Sequence, residues 1–254
     1  MQLAKVFLGI SAGALLTASA ALAVPVVQEH VTGGTLDQNW TAGFGVSNKM
    51  AAETLLPGHP AYNNPSGDHT VAVAINSSAP DSGGIIATGI DPMGNADYEW
   101  EGWIFTGDGS TRRGLFVRGD PSNPDNAFTS NYQFVIEAGL FQFRFRKLIN
   151  SAPTTLASWF ATDLPAGVVS QNTWYPMKIS AIGNEFRVWF AGHEFTSGGA
   201  IVDSDLATGW VGVYNFRFDL GGVPFYTDDL ILSVPDATPA ANATWGQIKT
   251  LYRR

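Results

Sequence analysis

Short runs of alternating apolar and polar residues dominate the sequence after about residue 24, and turn residues separate them every ten or so positions. In Leu140–Lys147 three phenylalanines fall on one face of an extended chain, whereas Gln142, Arg144 and Arg146 fall on the other. This period of two is typical of a β-strand with one buried and one polar face. The pattern predicts an all-β protein built as a β-sandwich of two antiparallel sheets.

The turn signals between these runs predict hairpins. Tyr132–Glu137 alternates in the same way and meets the phenylalanine run at Ala138-Gly139, and Tyr175–Ser180 meets Phe186–Phe190 across Gly183-Asn184. Gly-Asn favours a two-residue turn because Gly adopts positive φ angles at little steric cost. Further strands are predicted at Val71–Ile75, Gly84–Thr88, Tyr98–Phe105, Gly114–Arg118, Trp210–Phe218 and Phe225–Val234.

The composition excludes several classes of protein. The 254 residues include no Cys, so disulfide frameworks, thiolate metal sites, iron–sulfur clusters and cysteine nucleophiles are excluded. The formal net charge is −8. Because nucleic acids and anionic membrane surfaces both require a basic footprint, this charge disfavours both as partners. Neutral ligands such as glycans remain open.

The first 23 residues have the features of a secretory signal peptide. Lys5 supplies the positive charge, residues 6–16 supply an apolar helical segment, and Ala21-Leu22-Ala23 supplies an A-x-A cleavage site. Because Lys5 is the only charged residue removed, the mature chain from Val24 keeps 13 of the 14 basic residues. No later stretch is apolar for long enough to span a bilayer. The sequence therefore predicts a secreted or extracellular protein.

The last twenty residues differ in composition from the strands. Residues 235–244 are rich in Pro and Ala and predict a linker, and residues 245–254 predict a short C-terminal helix with a capping box at Thr244 and Gln247. A helix this short needs a surface to dock on, either the sandwich or a partner. The tail resembles attachment tails of secreted bacterial proteins, which implies possible surface attachment. The predicted β-sandwich domain spans residues 24–234.

Two segments rich in Pro, Asn, Asp and Gly predict surface loops that either rim a site or only connect strands. They are His59–Asp68 and Gly119–Asn131.

Four segments follow one another in an order that carries a resemblance. They are RRGLFVRGD at Arg112–Asp120, the hairpin NYQFVIEAGLFQFRFRKL, the hairpin NTWYPMKISAIGNEFRVWFAGHEF, and SDLATGWVGVY with PFYTDDLIL. In this order, the chain from roughly Leu36 to Val234 resembles the concanavalin A-like lectin/glucanase superfamily, especially its LamG-like and 3-keto-disaccharide-hydrolase-like jelly rolls. The resemblance implies a jelly-roll fold more strongly than it implies an activity.

The resemblance also implies a carbohydrate-binding protein without catalysis. In such a jelly roll one sheet presents a concave face on which aromatic rings stack on sugar rings and charged groups bind hydroxyls. Trp189 is the most informative residue, because a Trp on the polar side of a strand is either covered or offered to a ligand. The predicted binding residues are Arg118, Tyr132, Glu137, Arg144, Arg146 and Trp189.

A glycoside hydrolase is the alternative. The sequence DYEWE places Asp97, Glu99 and Glu101 on one face of a strand at about 7 Å intervals. The laminarinase-type glucanases of the superfamily use E-x-D-x-(x)-E, with the outer glutamates as nucleophile and acid/base. The first position here is Asp, so an acidic face that discourages edge pairing competes with catalysis by Glu99 and Glu101.

Two further alternatives remain. A 3-keto-disaccharide-hydrolase-like enzyme rests on the resemblance in fold alone, and none of its catalytic residues can be assigned. A structural or adhesive surface protein would use the sandwich as a spacer.

The resemblance also implies a structural calcium ion, since many sandwiches of this superfamily hold one beside their first and last strands. Asp37 of TLDQNW and Asp229 of YTDDLIL are its predicted ligands. A turn cap is the competing interpretation of these residues.

Overall fold

The computed structural model describes residues 23–42, 50–75, 84–120, 129–217 and 223–235. The predicted C-terminal helix and nearly all of the predicted signal segment and linker lie outside these residues. The described part contains sixteen strands and two 3-10 turns, η1 (Thr32–Gly34) and η2 (Ala161–Asp163). It contains no helix that is long and apolar enough to cross a membrane.

The strands follow the chain in this order: β1 (Ala23–Glu29), β2 (Thr41–Ala42), β3 (Met50–Thr54), β4 (Thr70–Ile75), β5 (Gly84–Ile90), β6 (Tyr98–Phe105), β7 (Arg112–Gly119), β8 (Asn131–Ile136), β9 (Gln142–Ile149), β10 (Ala152–Phe160), β11 (Trp174–Ile182), β12 (Glu185–Phe190), β13 (His193–Glu194), β14 (Ile201–Val202), β15 (Trp210–Arg217) and β16 (Pro224–Pro235).

The strands form two antiparallel sheets, which confirms the predicted all-β sandwich. The nine-stranded sheet has the order β13-β12-β11-β6-β16-β4-β3, with β1 beside β16 and β14 beside β12. The seven-stranded sheet has the order β10-β9-β8-β7-β15-β5-β2. Strand β16 is long enough to pair with β4 along its first half and with β1 along its second half.

The core between the sheets is aromatic. Phe143 and Phe145 of β9 are fully buried, and their rings lie 4.7 and 5.2 Å, between centroids, from Phe190 and Phe186 of the other sheet. Burial of each such side chain stabilises the fold by about 1.5–3 kcal/mol. Trp100 donates its indole N–H to the Gly212 carbonyl, 3.0 Å away, across the same core. The polar residues that alternate with these rings therefore point to the two outer faces.

The two predicted hairpins differ in how closely they match the structure. Gly183-Asn184 forms the predicted turn, with Ile182 paired with Glu185. The other turn is longer, because β8 ends at Ile136 and β9 begins only at Gln142. Phe141 therefore lies in the turn with 57% of its surface exposed, and the predicted row of three inward phenylalanines has two members.

The loop between β3 and β4 covers one end of the outer face of the nine-stranded sheet. Leu55 and Ala61 of this loop pack with Phe105 and Tyr226 in a small apolar cluster. The buried carboxylate of Asp228 holds the loop down by accepting hydrogen bonds from the Asn64 side chain and the Ser66 backbone, both at 3.0 Å. The loop therefore limits how much of this face is open.

Acid is expected to loosen this loop. Burial acts to raise the pKa of Asp68, but hydrogen bonds from Thr70, Asn64 and Ser66 outweigh it and lower the pKa to about 2. A carboxyl group with a depressed pKa stabilises the fold above its unfolded pKa, and this stabilisation is lost as the pH falls through the folded value. We expect the melting temperature to fall between about pH 4 and pH 2, and the fall to be smaller in Asp68→Asn.

Asp91→Asn is the control for this experiment, because the Asp91 carboxylate accepts one backbone hydrogen bond, from Met93, in a different loop. An equal acid dependence of the melting temperature in Asp68→Asn and in the unmodified protein would contradict the assignment.

Candidate functional site

A groove of about 380 Å³ lies on the outer face of the nine-stranded sheet, beyond the part covered by the β3–β4 loop. Its floor is formed by β6, β11, β12 and β16. The side chains that give it chemical character are Glu101, Trp103, Pro176, Lys178, Trp189 and Asp229.

A β-bulge in β16 shapes the floor of the groove. Asp228 pairs with Trp103 and Ile231 pairs with Glu101, so Asp229 and Leu230 together face the single residue Gly102. A Cβ atom on Gly102 would lie 2.5 Å from a methyl carbon of Leu230, which explains the absence of a side chain there. Bulges re-aim side chains beside functional sites, and here Asp229 reaches the groove.

Two partly exposed tryptophans lie along the groove. Trp103 pairs with Pro176 of β11, and Lys178 of β11 pairs with Trp189 of β12. The tryptophans are therefore two strands and two residues apart, a separation of about 12 Å between their Cα atoms. Two indoles at this spacing provide flat apolar surfaces that sugar rings can stack on.

Lys178 links the aromatic and acidic parts of the groove. Its ammonium nitrogen lies 4.2 Å from the centroid of the Trp189 ring and 3.4 Å from a carboxylate oxygen of Glu99. A cation at this distance from an indole makes a favourable cation–π contact. The side chain of Lys178 is therefore held at the centre of the groove with donors available for ligand oxygens.

Glu101 lies beside Lys178 in the adjacent strand. Burial raises the pKa of Glu101, and the charge of Glu99 raises it further, against the opposing effect of Lys178. Glu101 is thus a partly desolvated carboxyl group in the groove, whereas Glu99, next to the groove on the same face of β6, contacts the cation directly.

The predicted residues Glu137, Arg144 and Arg146 lie together, but on the outer face of the seven-stranded sheet. Glu137 accepts a 2.6 Å hydrogen bond from Arg112, and its other oxygen lies 3.6 Å from the Nε atom of Arg144. Arg146 donates to the side-chain oxygen of Gln133 at 2.8 Å. These charged groups form a network on the face of the sandwich opposite the groove.

Arg118 and Tyr132 lie in the interior. The Arg118 guanidinium donates to the backbone carbonyls of Leu206 and Gly183 at 3.0 and 2.5 Å. The ring of Tyr132 lies 4.3 Å from that of Phe186, and its hydroxyl donates to Asp203 at 2.5 Å. Both side chains join loops to the core instead of facing a ligand.

The structure therefore does not bring the six predicted binding residues together on one surface. Trp189 lies on one outer face, Glu137, Arg144 and Arg146 lie on the other, and Arg118 and Tyr132 lie between the sheets. The reason is that β8 and β9 belong to one sheet and β12 to the other, so their polar sides point in opposite directions.

The three carboxylates of the sequence DYEWE do not all lie together in the structure. Asp97 precedes β6, and its carboxylate accepts a hydrogen bond from the Gly183 backbone at 2.7 Å. Glu99 and Glu101 share the outer face with the groove. The structure brings two of the three carboxylates together and uses the third to fix the β11–β12 turn.

The predicted calcium ligands, Asp37 and Asp229, each contact His30. A carboxylate oxygen of Asp229 lies 2.6 Å from the Nδ1 atom of His30, and Asp37 accepts hydrogen bonds from the backbone of His30 and from Thr32. Calcium requires six to eight oxygen ligands. Because the described residues gather no group of three or more acidic or histidine side chains suited to a metal, these residues do not fit a calcium site.

Trp103, Pro176 and Lys178 were not among the predicted site residues. A signal for Trp103 was present in YEWEGWIF, because a period of two places Trp103 on the same face as Glu99 and Glu101. No signal identified Pro176 and Lys178, since their place in the groove depends on the pairing of β11 with β6.

Comparisons with known proteins give a likeness in fold. No protein-family model and no curated protein matches the sequence. The catalytic domain of an endo-1,3-β-glucanase (laminarinase) from Thermotoga petrophila RKU-1 is similar over 85% of this chain and 99% of its own, with 12% identity and a TM-score of 0.53.

Two carbohydrate-related domains are also similar. Domain 4 of AbnA, an extracellular GH43 arabinanase from Geobacillus stearothermophilus solved with arabinotriose, is 14% identical over 90% of this chain and 98% of its own, with a TM-score of 0.50. The carbohydrate-binding module CBM66 from Bacillus subtilis is 16% identical over 76% and 94%, with a TM-score of 0.50. With its two antiparallel sheets, the chain has the concanavalin A-like sandwich fold that its sequence predicts.

Proposed function

We propose that this chain is a secreted carbohydrate-binding β-sandwich protein and that the groove of the nine-stranded sheet binds the glycan. The observation that carries the proposal is the presence of two partly exposed tryptophans, Trp103 and Trp189, on either side of Lys178 in one groove. The fold supports it, because similar domains include a carbohydrate-binding module and a domain solved with arabinotriose.

The groove combines the two interactions that sugars require. The indoles of Trp103 and Trp189 offer flat apolar surfaces to the C–H faces of sugar rings. Lys178 donates hydrogen bonds to ring and hydroxyl oxygens, while Glu101 and Asp229 accept them from hydroxyl groups. The spacing of about 12 Å between the tryptophan Cα atoms fits more than one sugar unit, so an oligosaccharide is the preferred ligand class.

Removal of either indole is expected to weaken glycan binding. Central aromatic contacts typically contribute 2 kcal/mol or more, so Trp189→Ala and Trp103→Ala should each raise the Kd about 30-fold or more. A neutral oligosaccharide selected on a glycan array would be titrated calorimetrically against each variant.

Phe160→Ala is the matched control. Phe160 is an aromatic residue with 51% of its surface exposed, and it lies on β10, the edge strand of the other sheet. Its removal should leave the Kd unchanged. Unchanged binding in both tryptophan variants, with melting temperatures near that of the unmodified protein, would refute the groove as the binding site.

Hydrolysis of the bound glycan is a second candidate function, favoured by the raised pKa of Glu101. An acid/base residue of a glycosidase needs such a shift, and Glu99 supplies a second carboxylate on the same outer face of β6. Release of reducing sugar that is lost in Glu101→Gln would establish this function. Binding without turnover, retained in Glu101→Gln, is the result that the binding proposal predicts.

The proposal includes export and surface attachment through the C-terminal tail. The charge and cleavage pattern of residues 1–23 supports export, and cleavage after Ala23 would retain the pairing of Val24 with Val234 in the mature sandwich. Detection of the mature chain outside the cell, with Val24 as its first residue, tests export. Loss of surface retention after deletion of residues 245–254 tests attachment.

A further inference from the structure

A second pocket, of about 220 Å³, lies where β6 ends and β16 begins, next to the β3–β4 loop. Its polar side chains are those of His59, Asp108, Arg113, Asn172 and Tyr226. The pocket is smaller than the about 300–1,000 Å³ of sites for drug-sized ligands. Its occupant is therefore a single small ring or a smaller group.

Arg113 is a buried cation at this pocket that forms no ion pair within the described residues. Only 1% of its surface is exposed. One terminal nitrogen donates to the Phe105 carbonyl at 2.9 Å, and the other contacts the Thr111 hydroxyl. The Nε atom has no hydrogen-bond partner. Because an unpaired buried charge is costly, an acceptor or anion at this position would stabilise the site.

The hydrogen bonds of His59 indicate that the Tyr226 hydroxyl does not donate its hydrogen to His59. The Ala61 backbone N–H donates to Nδ1 of His59 at 3.1 Å, so Nδ1 carries no proton. The proton of the neutral ring must then be on Nε2, which lies 3.3 Å from the Tyr226 hydroxyl and donates to its oxygen. The hydroxyl hydrogen of Tyr226 is left for another acceptor. Arg113 and Tyr226 therefore each keep one donor for which the described residues supply no acceptor.

Charged groups of both signs surround the pocket. Burial acts to raise the pKa of Asp108, but hydrogen bonds from Ser110 and the charges of Arg113 and Arg217 outweigh it and lower the pKa. Asp108 is consequently ionised at neutral pH. The charge of Glu53 acts on Tyr226 from another strand, so carboxylates lie near the pocket, and Arg113 is the one cation among the described residues of its lining.

We propose that this pocket binds a small carboxylate, specifically the carboxylate of an acidic sugar such as a uronic acid. This proposal extends the proposed function, since it gives the protein a subsite for acidic residues of a glycan, separate from the tryptophan groove. Arg113 supplies the positive charge, and the Tyr226 hydroxyl donates to a carboxylate oxygen.

The test is a calorimetric titration of the purified protein with glucuronate, glucose and acetate. Glucuronate should bind at least ten times more tightly than glucose, and acetate should compete with it, because the carboxylate is the recognised group. Tyr226→Phe keeps the packed ring and removes only the hydroxyl. We expect it to weaken glucuronate binding about 5- to 10-fold, which is the loss of one charge-assisted hydrogen bond.

Phe160→Ala is again the control, and it should leave glucuronate binding unchanged. Equal binding of glucuronate and glucose, or equal glucuronate binding in Tyr226→Phe and the unmodified protein, would overturn the proposal. Competition by acetate with affinity equal to that of glucuronate would restrict the site to free carboxylates and overturn the sugar assignment. Binding of neutral oligosaccharides at the groove is measured separately, so the failure of either site is distinguishable.

Discussion

Replacement of Glu29 by Ala is expected to lower the free energy of unfolding by about 4 kcal/mol. Glu29 is 1% exposed, and its carboxylate accepts four hydrogen bonds. The donors are the backbone N–H groups of Val31, Asp37 and Gln38 and the indole N–H of Trp40, at distances of 2.8 to 3.0 Å. Each buried donor left unsatisfied costs about 1–3 kcal/mol, and local relaxation reduces the sum.

The measurement is urea unfolding at neutral pH, together with thermal melting. A loss of about 4 kcal/mol corresponds to a fall in melting temperature of about 10 °C for a domain of this size. The free energy of unfolding of Glu29→Gln should lie between those of the Ala variant and the unmodified protein. The amide retains one acceptor oxygen, but its NH₂ group faces two donors. Gln28→Ala, at an exposed neighbour, should change stability by less than about 0.5 kcal/mol. A similarly small change in Glu29→Ala would contradict the assigned role of the carboxylate.

The local pattern of the sequence was sufficient to predict the strands with one buried and one polar face. β6, β9 and β12 alternate with a period of two, and the Gly183-Asn184 turn joins two strands as expected. β10 lacked this signal because it is an edge strand with few buried residues and a Pro near its start. Strand β1 was missed because its residues adjoin the apolar segment assigned to the signal peptide.

The site could not be predicted in the same way, because it depends on which strands become neighbours. The hairpins β8–β9 and β11–β12 have similar alternation and enter different sheets, so Arg146 and Trp189 face opposite sides of the molecule. The groove itself arises from the pairing of β6 with β11 and from the bulge in β16. These are contacts between residues far apart in the sequence, which periodicity does not report.

Arg118 illustrates the same limit for a single residue. Alternation along β7 shows which residues share a face, but it does not show that a charged side chain can be enclosed. Arg118 follows an apolar run and has a positive φ angle of 53°, and its side chain lies over the ring of Phe186 at 4.9 Å. Its guanidinium donates to the carbonyl of Leu206, between β14 and β15, and to that of Gly183, in the β11–β12 turn. The residue therefore acts as a structural donor, and this role has a measurable consequence.

Arg118→Ala is expected to lower the free energy of unfolding by about 3 kcal/mol, because it leaves a cavity and removes the donors to the Leu206 and Gly183 carbonyls. Arg118→Met should recover part of this loss, since the apolar Met side chain fills the space beside Phe186 without restoring the hydrogen bonds.

Arg144→Ala is the matched control, because Arg144 was also a predicted glycan contact. Arg144 is partly exposed, and its ion pair with Glu137 is long, at 3.6 Å. Its replacement should therefore lower the free energy of unfolding by less than about 1 kcal/mol. Urea unfolding of the three variants separates the two roles, because a ligand contact would lose glycan affinity without losing stability. A stable Arg118→Ala protein with reduced glycan affinity would return Arg118 to the binding site and contradict its placement as an interior clamp.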